Sequence, residues 1–165
     1  MQQSDKLPMN SRRTMSDAVI FVDFDGVFHA MDSRDFEYRG NDLVVSDNPN
    51  LFQWAPLLWQ IIEPHPVVIV VHSSWRHLYT AEELIARFPR AMQPRIVGVT
   101  QGRERDQSIR NYVCMNNVKR FAVLDDSPEA FSGNWPSLIV CDSQRGINDE
   151  QVLESIRRFV AKEVL

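Results

Sequence analysis

Residues 18–26 read Ala-Val-Ile-Phe-Val-Asp-Phe-Asp-Gly: an apolar, largely β-branched run that ends abruptly in two carboxylates and a glycine. Such a run fits a strand buried on both faces, as in a parallel sheet. Asp23 and Asp25 then fall at the carboxyl end of that strand, where it meets a loop. Unpaired buried carboxylates are costly there, and a divalent cation held by hard oxygen ligands is their natural partner. Gly26 lets the backbone approach a ligand closely and expose its N–H. Taken alone, the motif also fits a capped turn with solvated acids.

Working outward, four more strand-like runs follow: Val67 to Val71 after Pro66, Arg95 to Thr100, Phe121 to Leu124, and Ser137 to Cys141. Helical signals lie between them. Pro49 at a first helical position predicts a helix over Asn50 to Ile62. Thr80-Ala-Glu-Glu83 is a capping box opening Ala81 to Phe88. A helix is expected from about Arg103 to Met115. Asn148-Asp-Glu-Gln151 caps a last one, with Val152, Ile156, Phe159 and Val160 on one face. Alternating strands and helices predict an α/β fold, a mostly parallel five-stranded sheet with helices on both faces. Right-handed crossovers bring every strand's carboxyl end to one edge, where ligands of such sheets bind. Val27 to Val45 breaks the alternation, and Arg39-Gly40-Asn41 inside it predicts a small flap hairpin.

The 165 residues suit one domain over 18–165. Residues 1–17 are polar and are expected to form a flexible tail. An apolar fraction of 44% and a charged fraction of 24% exclude a fibrous or wholly disordered chain. A net charge of −4 argues against a general nucleic-acid coat. Cys114 and Cys141 have no metal spacing and read as free thiols. With no apolar run of about 20 residues and no signal-like segment, a cytoplasmic protein without a membrane partner is expected.

Two further strand ends carry polar chemistry. Val123-Leu124-Asp125-Asp126 again ends an apolar strand in acids, for which an Asp turn is the bland alternative. Four carboxylates on one sheet edge repel one another and call for a cation. After Val67 to Val71 comes His72-Ser73-Ser74-Trp75-Arg76, where a serine hydroxyl either binds a phosphate oxygen or caps a turn. Arg103, Arg105, Lys119 and Arg120 supply basic charge near these ends, or are simply solvated.

The order Asp23-Phe-Asp25-Gly26, Ser73, a basic residue, then Asp125-Asp126 resembles the haloacid-dehalogenase-like (HAD) phosphatase superfamily, over about Ala18 to Leu165. Phe-Val-Asp-Phe-Asp-Gly-Val, Ser-Ser-Trp-Arg and Leu-Asp-Asp are similar to its small capless branch associated with bacterial RNA-repair and conflict proteins. The resemblance implies a three-layer Rossmann-like fold with strand order 5-4-1-2-3 and no cap domain. It also implies a Mg²⁺-dependent phosphatase that cleaves a phosphomonoester through an aspartyl-phosphate. Asp23 is the implied nucleophile and Asp25 the implied acid and base. Mg²⁺ is held by Asp23, the Asp25 carbonyl and Asp125, with Asp126 orienting a ligand. Ser73, or Ser74 one residue on, and the Gly26 amide bind phosphate oxygens. Arg105 fits the basic position best, with Arg103 and Lys119 as alternatives. Protonation of Asp25 for the first step implies a raised pKa, at least with substrate bound.

With about twenty residues between Gly26 and the next helix, an open site covered only by the flap is expected. That suits a large phosphorylated substrate such as a nucleic-acid end or phosphoprotein, or a nucleotide. Arg34, Arg39, Asp32 and Asp35 read as a solvated hairpin, Trp54 as core, and Trp75 as packing rather than stacking. Two other classes fit parts of the pattern. A catalytically idle HAD-like binding module would keep the fold, and a receiver-type phosphoacceptor would also carry acids at strand ends. The latter fits less well, because the acid doublet comes late in the chain.

Overall fold

The computed structural model describes residues 18–162; the expected tail over residues 1–17 lies outside them, as do residues 163–165. Five parallel strands form the central sheet: β1 (Ala18–Val22), β4 (Val67–Val71), β5 (Ile96–Val99), β6 (Arg120–Asp125) and β7 (Leu138–Val140). Two more, β2 (Phe36–Arg39) and β3 (Asp42–Val45), make a separate antiparallel hairpin. The sheet order is β5-β4-β1-β6-β7. In whole-chain numbering this differs from the expected 5-4-1-2-3, because the two hairpin strands are counted between β1 and its neighbour β4. Counted without the hairpin, the five parallel strands run 5-4-1-2-3 from the β7 edge.

β1 is the central strand because all five of its residues can be buried on both sides. It pairs in register with β4 (Val22 opposite Val71) and β6 (Val22 opposite Leu124). Its alternation splits the core into two layers. Ile20 and Val22 face α1 (Ala55–Ile62), α2 (Ala81–Ile85) and α4 (Glu150–Ala161), while Val19 and Phe21 face α3 (Arg105–Met115). Helices thus cover both faces, as parallel strands require. No helix among the described residues is long and apolar enough to cross a membrane.

Most boundaries fall within a few residues of those expected. The Thr80–Glu83 capping box forms, but α2 ends at Ile85. Asp149, not Asn148, caps α4 by accepting from the Gln151 N–H. The larger difference is α1, which begins at Ala55 rather than Asn50. Phe52 takes a left-handed φ of 59°, so the chain cannot be helical through it, and Pro56 sits in the first turn instead. The hairpin turns at Gly40-Asn41 with Gly40 at φ +65°, matching a two-residue turn with glycine first. Between β4 and β5 the chain holds only α2 and two single 3₁₀ turns. The sheet's carboxyl edge is therefore flanked by the hairpin and short loops.

Candidate active site

Asp23 directly follows β1 and is 1% exposed. The Phe24 N–H donates to its Oδ1 at 2.8 Å, and Arg105 Nη1 lies 3.1 Å from its Oδ2. Arg105 is the first residue of α3, and its Nη1 also donates to both oxygens of Asp125 at 2.7 Å. Asp125 ends β6, is fully buried, and accepts from the Ser127 N–H at 2.8 Å. Oxygens of Asp23, Asp125 and Asp126 all lie within 4.8 Å of one another. Burial, and then the charge of Asp125, push the Asp23 carboxyl up to about 8 against the pull of Arg105. Burial likewise raises Asp125 and Asp126, with Arg105 opposing. Three crowded carboxyls share one guanidinium, so ionising all three calls for a further cation. This hard-oxygen donor set fits Mg²⁺.

Asp25 is built differently. Its side chain joins none of that cluster. His29 Nε2 donates to Oδ1 at 2.9 Å, while Trp75 Nε1 and Arg34 Nη1 donate to Oδ2 at 3.0 and 2.9 Å. His29 Nδ1 accepts the Phe52 N–H at 3.2 Å, which places the ring hydrogen on the nitrogen facing Asp25. Phe24 and Phe52 pack edge-on against Trp75 and hold its indole in place. Burial alone would raise the Asp25 carboxyl, but the His29 and Trp75 hydrogen bonds and the Arg34 charge outweigh it. The group is held below the ordinary carboxylate value. The expectation of a raised Asp25 does not hold in the free protein, where the raised acids are Asp23, Asp125 and Asp126.

The other expected residues separate clearly. Ser73, at the end of β4, is buried, and its hydroxyl accepts the Trp75 N–H at 3.3 Å; Ser74 is exposed at the start of a 3₁₀ turn. Arg105 reaches the carboxylates. Arg103 is exposed, and Lys119 lies at the opposite, amino end of β6, bonded to Asn117. The Gly26 N–H is not exposed to a ligand: it donates to the His29 carbonyl at 3.0 Å. Gly26 matters for another reason. With φ +71°, a Cβ there would land on the Asp126 carboxylate. Gly26→Ala is expected to cost about 1–3 kcal/mol of stability and to weaken Mg²⁺ binding by displacing Asp126. Urea denaturation and a calorimetric metal titration check both effects.

Four partners were not legible in the sequence. Arg34 reads as a solvated hairpin residue and His29 draws no role, yet both hold Asp25. Trp75 packs as expected but also donates to that carboxylate. His72 is wholly buried, with Nδ1 3.1 Å from the Thr100 hydroxyl and Nε2 3.9 Å from Asp125. Burial, with Arg76 and Arg105 nearby, pulls its pKa down to about 3, so it is neutral and offsets none of the carboxylate charge. That leaves Arg105 as the cation bonded to both Asp23 and Asp125. Arg105→Ala is expected to destabilise the metal-free protein by on the order of 3 kcal/mol, since it strands buried carboxylates. Added Mg²⁺ should recover most of the loss, as read by melting temperature with and without chelator.

Compared with known proteins, residues 19–152 match a family described as the HAD domain in Swiss Army Knife RNA repair proteins. No curated protein and no solved structure gives a significant match.

Proposed function

The chain belongs to the family of HAD domains in Swiss Army Knife RNA repair proteins, and from that premise we propose that it is a Mg²⁺-dependent phosphohydrolase acting on a phosphomonoester. One observation carries the proposal: Asp23 is buried beside Asp125 and Asp126, an acid cluster able to hold a metal ion, whereas Asp25, two residues on, points away into its own set of donors. One motif thus supplies two carboxylates with different environments, as a nucleophile and an acid–base partner need.

Asp23 attacks phosphorus, forming a P–O bond to its carboxylate as the ester P–O bond breaks. The departing oxygen takes a proton from Asp25. Water then attacks the aspartyl-phosphate, gives its proton to Asp25, and releases phosphate with Asp23 restored. Arg105 neutralises charge on the phosphoryl oxygens. Asp23, Asp125 and Asp126 would hold Mg²⁺, which supplies charge neutralisation between an anionic nucleophile and an anionic substrate. The buried Ser73 hydroxyl is placed to meet a phosphoryl oxygen.

The flap and short loops beside the carboxyl edge suit a substrate larger than a metabolite. Together with the family's occurrence in RNA repair proteins, this favours a phosphorylated nucleic-acid end. Hydrolysis of an aryl phosphate in Mg²⁺, lost on chelation, tests the reaction class. Failure to release phosphate from aryl phosphates, nucleotides and phosphorylated oligonucleotides alike would reject it in favour of an idle binding module.

A further inference from the structure

We infer that one face of the β2–β3 hairpin is a stacking platform for the bases next to the scissile phosphate of a single-stranded polynucleotide end. The inference rests on the phosphohydrolase function proposed above.

In an antiparallel pair, directly opposed residues share a face. Phe36 pairs with Val45 and Tyr38 with Leu43, so these four side chains form one face. Val45 is buried at the hairpin's base, where its N–H donates to the Tyr79 hydroxyl at 2.8 Å. The other three are open: Phe36 is 42%, Tyr38 73% and Leu43 37% exposed. Of the six large apolar side chains exposed among the described residues, three therefore sit together on this small hairpin. The opposite face carries three charged side chains, Glu37, Arg39 and Asp42, beside the half-buried Val44, with Arg39 bonded to Glu37 and Asp47. An apolar hairpin face anchored in the core at Val45 but left open at its other three side chains is a surface kept for a ligand.

Its position says which ligand. The Arg34 guanidinium lies 4.7 Å over the Phe36 ring and donates to Asp25 at 2.9 Å. The platform is thus one guanidinium away from the group assigned to protonate the departing oxygen, which is the oxygen that carries the rest of the substrate. Rings beside an arginine are the elements that hold single-stranded nucleic acid, since every base offers a π-face. Phe36 and Tyr38 stand about 7 Å apart along the strand. That spacing serves two successive bases, more than a mononucleotide supplies. Phe36 meets the terminal base and Tyr38 the next. A phosphopeptide would not need two flat surfaces at that spacing.

The test uses the full chain carrying Asp23→Asn, so that bound substrate is not consumed. Fluorescence polarisation reads its affinity for single-stranded oligonucleotides phosphorylated at either end and labelled at the other. Phe36→Leu and Tyr38→Leu keep apolar bulk and remove the ring, and each is expected to weaken binding about tenfold. Tyr38→Phe is expected to bind like its parent. In otherwise unaltered protein, Tyr38→Leu should lower kcat/KM for the oligonucleotide about tenfold relative to kcat/KM for an aryl phosphate. Leucine variants that bind as tightly as the parent overturn the platform. So does a mononucleotide that competes at equal concentration, or an Asp23→Asn protein that binds no oligonucleotide. Each of these leaves the phosphohydrolase standing if aryl phosphate is turned over. Ring-dependent binding without turnover of any phosphate would keep the platform and reject the reaction.

Discussion

Asp23→Asn is expected to lower phosphatase kcat by about four orders of magnitude or more, while raising the stability of the metal-free protein at neutral pH. The activity loss follows from removing the nucleophile, because the remaining groups only bind and polarise the substrate. The stability gain follows from the same burial. Asp23 titrates near its ordinary 3.8 in the unfolded chain and at about 8 in the fold. The folded state therefore binds more protons between those values. The stability linked to a protonated Asp23 is fully present below 3.8 and is lost as pH rises through about 8. An uncharged amide removes that penalty. In chelator, the parent's melting temperature should fall from pH 5 to pH 8 more steeply than that of Asp23→Asn, and Mg²⁺ should flatten the parent's slope. Equal slopes in the two proteins would show that Asp23 is not the strained group.

That coupling of strain to function was only half visible in the sequence. The five parallel strands were legible because a strand buried on both faces must be almost wholly apolar, and Val67–Val71 or Ala18–Val22 allow little else. The hairpin was legible from Gly40-Asn41 alone. Asp23, Asp125 and Asp126 were legible as a group because parallel topology sends all strand ends to one edge. Arg105 stood out among its neighbours because it opens a helix that feeds the strand of Asp125. The environment of Asp25 was not legible. Its three donors come from positions 29, 34 and 75, and no periodicity links them. The same gap explains the corrected direction of its pKa, since an acid's burial can be guessed from a strand end but its hydrogen bonds cannot. The start of α1 was misplaced for a related reason: the left-handed Phe52 presents its N–H to His29, a tertiary demand that overrides the local helix signal.

Asp25→Asn is expected to lower kcat by about 10²–10⁴-fold and, with an aryl phosphate, to leave the protein phosphorylated on Asp23. The two effects separate the two proton transfers. An aryl leaving group departs as a stable phenolate and scarcely needs the acid, so the first step should survive. Attack by water on the aspartyl-phosphate does need the base, so the intermediate should accumulate, visible as a burst of phenolate and as an acid-stable mass increase. An alkyl phosphate needs the acid at once and should show neither burst nor turnover. Because His29, Trp75 and Arg34 hold Asp25 ionised in the free protein, its proton must arrive with the substrate. A phosphomonoester monoanion carries that proton and loses it near pH 6. For an alkyl phosphate, kcat/KM of the parent should therefore fall as pH rises above about 6, whereas for an aryl phosphate it should change much less. A flat profile for the alkyl substrate would mean that Asp25 is not the acid, and a variant with neither burst nor trapped phosphate would mean that it is not the base.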